Sequence, residues 1–428
     1  MSILSSFSRN VICPVVFFGI FGLAVTLVTS LIKSAFQGSG AFSVSFSSDP
    51  NRSIIARFGE TLLRSLSRCY ITVPSPCGGK GSCHQCRVRV VEGVSPPNEL
   101  EKGVFSEEEL NDGWRLACQV LVKNEVKVDL PGKALSLESF SGVVRSNRNV
   151  STFIKELIVE LDEPIKYEAG EYLQFLIPNY ETFTASWKES IDPEFHSEWE
   201  KYGMFDVAIV YEDEKECVRA YSLASYPGEG KIVRFTVRIA SPPLKNGVIN
   251  DSIPWGIGSS YIFSRKEGDR LYFSGPFGES KMIQDQRPLY FLIGGAGASF
   301  GRSHIMSLFL LHGTKRKVAL WYGARSLKEN IYAEEFLEVQ KKFPNFTYHL
   351  VLSDPTDEER KLNWPLSDPE RTGFLFQAFE TGVMQYLKDH DQSLYYVCGP
   401  PLHNFAVKNL LREYGVPKSS VILDDFGV

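Results

Sequence analysis

The chain has 428 residues, 43% of them hydrophobic and 23% charged, with a net charge of −5. That length fits about three domains of ordinary size, and the composition is that of a globular protein rather than a disordered or fibrous one. The acidic balance argues against nucleic acid as a partner.

The N-terminus departs from this average. Val11 to Ile32 contains no charged residue, and a run of about 20 apolar residues matches the hydrocarbon thickness of a bilayer. A cleaved signal peptide is the alternative, but the run exceeds a typical apolar region of roughly 7–15 residues and no A-x-A site follows it. A retained transmembrane helix over 11–32 is expected, within an anchor of residues 1–34. Arg9 on one side and Lys33 on the other leave its orientation open by charge.

A short linker rich in small residues follows. Phe42–Phe46 alternates as a half-buried strand does, and Thr61–Ser67 predicts a helix with Leu62, Leu63 and Leu66 on one face. Arg87–Val94 and Val120–Leu130 alternate again and predict strands. Between these lies Cys77-Gly-Gly-Lys-Gly-Ser-Cys83-His-Gln-Cys86, and a fourth cysteine stands at Cys118. Four thiolates in a three-plus-one arrangement fit one [2Fe–2S] cluster, for which the plant-type spacing is C-x4-C-x2-C with a remote fourth ligand. Here the first gap is one residue longer. Gly78, Gly79 and Gly81 can take positive φ and bring backbone amides to the sulfurs. The rival is a structural zinc site, which usually pairs two C-x2-C knuckles; this chain has one such pair, so the cluster is favoured. His84 reads as an exposed loop residue, and Cys13, Cys69 and Cys217 as small hydrophobes. A ferredoxin-type β-grasp domain (α+β) over residues 35–131 fits these pieces.

Residues 135–283 are strand-rich. Ser141–Val144, Phe153–Leu161, Tyr172–Ile177, Asp206–Val210, Ile232–Ile239 and Arg270–Ser274 are separated by Gly, Pro and charged turns, which predicts an antiparallel β-barrel. The charged, aromatic stretch Ser186–Gly203 looks like an excursion from it. Arg219-Ala220-Tyr221-Ser222 combines a planar cation suited to phosphate, a ring able to stack and a hydroxyl, the set a flavin site requires. Such a motif occurs often by chance. It gains weight from Gly256-Ile257-Gly258-Ser259-Ser260, whose amides and hydroxyls can cradle a pyrophosphate.

From 287 to 428 the pattern changes. Pro288–Gly294 is a short apolar strand closed by Gly295-Ala296-Gly297, and an apolar helical run follows through His304–Leu311. Val318–Tyr322, Tyr348–Leu352 and Leu394–Val397 are further strands, each followed by helical material. Alternating strands and helices predict a parallel, doubly wound α/β sheet, which binds ligands beyond the carboxyl ends of its strands. Gly294-Gly295-Ala296-Gly297 lies at such an end, though it is not a full G-x-G-x-x-G and could be a packing device alone. Cys398-Gly399-Pro400-Pro401 follows the last strand; the thiol is either structural or an aligner of a nicotinamide ring.

Taken together, these motifs and their order resemble the ferredoxin–NADP reductase superfamily fused to a [2Fe–2S] ferredoxin domain. The anchor, Tyr322-Gly323-Ala324-Arg325-Ser326 and the ending Leu423-Asp424-Asp425-Phe426-Gly427 narrow the resemblance to the F-subunit family of Na+-translocating NADH:quinone oxidoreductases. The resemblance implies cluster ligands Cys77, Cys83, Cys86 and Cys118. It implies FAD contacts at Arg219, Tyr221, Ser222, Gly256, Ser259 and Ser260, and an NADH site at Gly294, Gly295, Ala296, Gly297, Cys398, Gly399 and Pro400. Phe426 would cover a flavin face until nicotinamide displaces it. This chain departs from the family pattern at Ala298-Ser299-Phe300, where a proline is replaced and Phe300 is bulkier, and at Lys80 and His84, where glycines are expected.

The implied function is electron input to a Na+-pumping NADH:quinone oxidoreductase. A hydride passes from NADH to FAD, with Ser222 and Cys398 as positioning groups, and single electrons pass to [2Fe–2S], to other membrane subunits and to quinone. Arg325 and Ser326 could meet a 2′-phosphate, which leaves NADH against NADPH open on residue chemistry alone. The implied location is a bacterial inner membrane, single-pass through the lipid bilayer, with the soluble domains cytoplasmic. The alternatives are the reductase component of a bacterial oxygenase, usually soluble, and a membrane-tethered ferredoxin that serves as a docking scaffold.

Overall fold

The computed structural model describes residues 40–69, 71–93, 95–130, 139–212, 217–245, 248–250, 252–278, 280, 282–361 and 372–424. The expected anchor over 11–32 and Phe426 lie outside the described residues. Among the described residues, no helix is long and apolar enough to cross a membrane.

The first unit is a mixed five-stranded sheet. β1 (Ala41–Phe46) pairs antiparallel with β2 (Ser53–Arg57). β3 (Arg87–Glu92) lies between β4 (Trp114–Leu116) and β5 (Val126–Asp129), and β5 in turn pairs parallel with β1. Alternation of Val44 and Phe46 inward with exposed or half-buried residues gives β1 its buried face. The helix Leu62–Arg68 starts at Thr61, whose hydroxyl accepts from the Arg64 amide at 3.3 Å. It buries Leu62, Leu63 and Leu66 as expected. The expected strand Val120–Leu130 is shorter, only Val126–Asp129. Its first half is diverted: the Val120 carbonyl accepts from the Leu62 amide, and the Val122 amide donates to the Glu60 carbonyl. Alternation alone cannot tell a sheet ladder from pairing with a turn.

The second unit is an antiparallel sheet with two short ribbons beside it. The main strands are β6 (Phe140–Ser151), β7 (Ile154–Leu161), β8 (Tyr172–Ile177), β11 (Cys217–Ser222), β12 (Ile232–Arg238) and β15 (Arg270–Phe277), in the order β11-β8-β15-β6-β7-β12. The two edges meet just beyond β11, where the Ala224 amide donates to the Arg234 carbonyl of β12 at 2.7 Å. That bond closes the sheet into a barrel and protects its edges. Phe175 sits at the centre, edge-on to Phe235 and Phe273 at 4.8 Å each and to Tyr221 at 5.2 Å. The ribbons are β9 (Tyr180–Phe183) with β10 (Ala208–Tyr211), and β13 (Leu244–Lys245) with β14 (Val248–Ile249). The stretch Ser186–Gly203 packs on the barrel through its aromatic residues. Trp187, Phe195 and Trp199 are buried, and Phe263 lies 5.7 Å from Trp187 and 6.0 Å from Trp199. Lys155 is sealed beneath this cap, its Nζ donating to Ser190 Oγ at 2.7 Å.

The third unit is wholly parallel. β16 (Leu289–Gly294) is flanked by β17 (Val318–Ala324) and β19 (Leu394–Cys398); β18 (Phe346–Leu352) and β20 (Val421–Asp424) lie outside them, giving the order β18-β17-β16-β19-β20. The chain winds outward from β16 to β18 and then returns to β19 on the other side. The topological switch therefore falls between β16 and β19, where such sheets place their ligands. The helix after β16 begins at Ala298, earlier than expected, and every residue to Met306 is buried. Phe300 points into this core, its ring tilted against that of His304 at 4.3 Å. Its bulk is absorbed by packing against the sheet.

Candidate functional site

The cysteines form two pairs. Cys83 Sγ and Cys77 Sγ are 3.2 Å apart, and the Cys86 thiol hydrogen-bonds with that of Cys118. Among the described residues no group of three or more His, Cys, Asp or Glu side chains is placed to hold a single metal ion. Two thiols for each of two irons is the ligand count of a [2Fe–2S] core, whereas a zinc cage gathers four on one centre. Gly78, Gly79 and Gly81 take φ of +64°, +90° and +82°. This turns the amides of Gly79, Ser82 and Cys83 toward the Cys77 sulfur. Together with the Cys83 thiol, which has the largest effect, they hold Cys77 down at about 4. The Cys83 thiol is pushed up by the same pairing and by burial. In the other pair Cys118 is lowered to about 7, chiefly by Cys86, while Cys86 is pushed up. Each pair thus holds one sulfur that favours the thiolate beside one that does not, and a bound cation would let all four ionise, so the donor set fits a cluster. His84 holds φ of +57°, a left-handed turn, with its side chain exposed. Lys80 is also exposed.

Arg219, Tyr221 and Ser222 lie on β11, so alternate residues face opposite ways. Gly258 makes the close approach beside them possible. A Cβ there would meet the Tyr221 hydroxyl at 2.7 Å and Arg219 Cγ at 2.8 Å. Burial pushes the Tyr221 phenol above its usual range. Ser259 turns inward, accepting from the Ala240 amide at 3.0 Å and donating to the Gly256 carbonyl at 3.1 Å. Ser260 is fully buried. Gly256 and the backbone at Ile257 thus remain at the site, with the Ser259 hydroxyl holding the turn. A cavity of about 300 Å³ lies in front, lined by Arg219, Val218, Tyr211 and Ile257 of the barrel and by Arg64, Arg68 and Gly78 of the first unit. Arginine beside an open cavity and a glycine-tight wall fit the phosphate-bearing part of a flavin nucleotide.

Gly294-Gly295-Ala296-Gly297 and Cys398-Gly399-Pro400 stand on either side of the switch. A Cβ at Gly297 would meet the Cys398 carbonyl oxygen at 2.4 Å and its sulfur at 3.1 Å. Glycine is therefore what lets the turn and Cys398 lie together. The turn is tied to its surroundings by Thr236 of β12, which donates to the Ala296 carbonyl at 2.8 Å, and by the Tyr322 hydroxyl, which donates to the Gly295 carbonyl at 3.1 Å. Beyond them, Ser222 Oγ donates to Asp424 Oδ2 at 3.2 Å, and Cys398 Sγ lies 4.0 Å from the same oxygen. The barrel's serine and the sheet's cysteine are thus joined through Asp424 at the end of β20. Sequence reasoning missed Asp424 as a site residue. The signal was present in the acidic residue closing Val421–Asp424, a strand not anticipated.

Arg325 follows β17, and its guanidinium meets Glu329 at 3.3 Å. Glu329 also accepts from Ser151 and Thr152 of the barrel, and these contacts hold its carboxyl below the usual range despite burial. Ser326 is buried, which leaves Arg325 as the exposed cation at this strand end.

Comparison with known proteins accords with this arrangement. Residues 47–123 match the 2Fe-2S iron-sulfur cluster binding domain, and residues 291–408 the oxidoreductase NAD-binding domain. Among solved structures, a cytochrome P450 reductase from Amycolatopsis superposes with a TM-score of 0.58 at 21% identity, and the ferredoxin reductase of carbazole 1,9a-dioxygenase with 0.55 at 18%. Each match covers 90% of this chain and 98% of the other, and shows a shared fold. Curated relatives are much nearer. The F subunit of the Na(+)-translocating NADH-quinone reductase of Chlamydia muridarum is 50% identical over 86% of both chains, and that of Chlamydia caviae 47% over 96% of both. The Idiomarina loihiensis protein of the same name is 40% identical over 96% of this chain and 98% of its own. The chain belongs to the F-subunit family of Na(+)-translocating NADH-quinone reductases.

Proposed function

We propose that this chain is the NADH-oxidising, electron-input component of a membrane Na+-translocating NADH:quinone oxidoreductase. The observation that carries the reading is a continuous chain of contacts across the three units. Gly78 of the cysteine loop abuts Arg219, Ser222 stands three residues along the same strand, and Ser222 meets Asp424 beside Cys398. When bound, FAD and [2Fe–2S] supply the conversion of a two-electron hydride into single electrons, chemistry that side chains cannot perform.

The chain's own residues bind, orient and tune. Arg219, already fixed by its bond to the Val218 carbonyl at 2.8 Å, presents a planar fork to phosphate. Tyr221 offers its ring, braced edge-on by Phe175. Gly256, Ser259 and Ser260 shape the turn behind the nucleotide. Cys77, Cys83, Cys86 and Cys118 hold the cluster, and the amides on Cys77 are a lever on its potential. On the other side Gly294, Gly295, Ala296, Gly297, Gly399 and Pro400 form the dinucleotide edge, with Arg325 toward the adenosine. Ser222, Asp424 and Cys398 fix where nicotinamide and flavin meet, which acts through alignment. Phe426, two residues beyond Asp424, is the proposed aromatic cover. Glu329, holding Arg325, favours NADH, since a 2′-phosphate would meet a carboxylate there.

Residues 11–32 are the proposed single-pass anchor in a bacterial inner membrane, with the three units on the cytoplasmic side beside other membrane subunits that deliver electrons to quinone. Detergent extraction of membranes, co-purification and assay of NADH-dependent dye and quinone reduction test this. Membrane-bound activity that co-purifies with further subunits and responds to Na+ is expected. Activity confined to the soluble fraction would favour an oxygenase reductase, and a folded protein inert to NADH would leave a docking scaffold.

A further inference from the structure

We propose that the ferredoxin-type unit forms part of the flavin nucleotide's phosphate site, through Arg64 and Arg68 of its first helix, so that loading FAD docks this unit onto the barrel. The inference rests on the flavin reading above and concerns which unit supplies the cations.

The cavity in front of Arg219 is shared. Arg64, Arg68 and Gly78 line it from one side, and Arg219, Gln174 and Ile257 from the other. Three guanidinium groups therefore border one space, and no Asp or Glu is among the described residues that line it. Glu60, behind the wall, meets Arg68 at 3.1 Å and Arg64 at 3.9 Å and steadies both from the helix side. A wall of guanidiniums with no lining carboxylate suits an anion. Nη2 of Arg68 already donates to the Ile55 carbonyl and to Glu60, which fixes this guanidinium at the cavity wall, while Arg64, the more exposed of the two, can meet an acceptor that enters the cavity. The pyrophosphate of a dinucleotide is such an acceptor, and arginine recognises phosphate through its fork.

Near the cavity, two polar bonds cross the seam. Tyr172 donates to Gln85 Oε1 at 3.0 Å, and Gln174 Nε2 to the Val73 carbonyl at 3.4 Å. A ligand that joins Arg64 and Arg68 to Arg219 adds charge-assisted bonds to these neutral ones. It also presses the cysteine loop against the barrel, because a Cβ at Gly78 would already stand 3.2 Å from Arg219 Nη1.

The test uses the full-length protein, stripped of flavin and titrated with FAD and, separately, riboflavin, which lacks phosphate. Arg64→Ala is expected to weaken FAD about tenfold and Arg64→Glu further, each with riboflavin affinity unchanged, since one charge-assisted bond is worth roughly one decade or more. Arg89→Ala, a surface ion-pair control, should bind both as wild type. Amide exchange in Leu62–Arg68 should slow when FAD is added to wild type and slow less in Arg64→Glu. Unchanged FAD affinity in both Arg64 variants, equal loss of riboflavin, or exchange indifferent to FAD would each overturn the inference. Arg219→Ala separates the two levels: if it keeps FAD affinity, the flavin reading itself falls; if it loses FAD while the Arg64 variants do not, only this inference falls.

Discussion

The Ser222 hydroxyl and the Asp424 carboxylate meet at 3.2 Å across a separation of 202 residues, with Cys398 Sγ 4.0 Å from the same oxygen. Two units are thereby joined at one point, and that point lies where the motifs of both converge. An anchoring carboxylate of this kind fixes a hydroxyl's rotamer, and a misplacement of about 1 Å at reacting centres can cost on the order of 100-fold in rate.

Asp424→Ala should therefore slow reduction of the flavin by NADH by roughly ten- to a hundredfold while cofactor content stays constant. Stopped-flow bleaching of the flavin band reads this directly. A rate equal to wild type would show that Asp424 merely caps β20.

Cys86→Ala should remove the visible bands of the iron–sulfur centre and leave NADH-dependent flavin bleaching in place. The reason is spatial: Cys86 pairs with Cys118 inside the first unit, whereas the proposed nicotinamide site is built from the barrel and the third unit, where Ser222 meets Asp424. Loss of bleaching in a folded variant would contradict that separation.

Gly297→Ala should be destabilising by about 1–3 kcal/mol, the usual cost of overpacking, because the added carbon meets a backbone oxygen at 2.4 Å. The Cys398 carbonyl cannot swing away as a side chain does. Thermal unfolding gives the stability change, and a raised KM for NADH should accompany it as the turn moves off the sheet edge.

Lys155 carries a pH prediction. Burial lowers its ammonium from 10.5 to about 7, and Asp192 opposes this. The unfolded chain therefore binds a proton that the folded one lacks between about pH 7 and 10.5, so stability rises with pH across that window. Below about 7 the full cost of a buried charge applies, several kcal/mol as an order of magnitude. Lys155→Met should raise the Tm most at about pH 6–7 and progressively less toward about pH 10. A gain independent of pH would mean that Lys155 is not the titrating group.

Some of this was legible in the residues alone. The cysteine loop announced itself because metal chemistry fixes ligand type and spacing, and Gly78, Gly79 and Gly81 because only glycine takes such turns without strain. β8, Tyr172–Ile177, was read to the residue, since an apolar run bounded by turns carries its own limits. Other elements were not legible. Val120–Glu125 alternates like a strand, yet it bonds the turn before the helix Leu62–Arg68, a partner that local sequence does not name. Phe300 stands out in the sequence only as a bulky residue beside the glycine turn, and packing turns it toward His304 and Tyr396.

The sequence by itself determined the chemistry: four thiolates, one arginine-tyrosine-serine strand and two glycine turns, because these depend on residue type within a few positions. Only the tertiary structure decided which of them meet. Pairing of Cys77 with Cys83 and of Cys86 with Cys118, the approach of Gly78 to Arg219 and the convergence of Ser222, Cys398 and Asp424 all depend on how sheets twist, close and pack. Most of those contacts join residues far apart along the chain, and no local pattern encodes them.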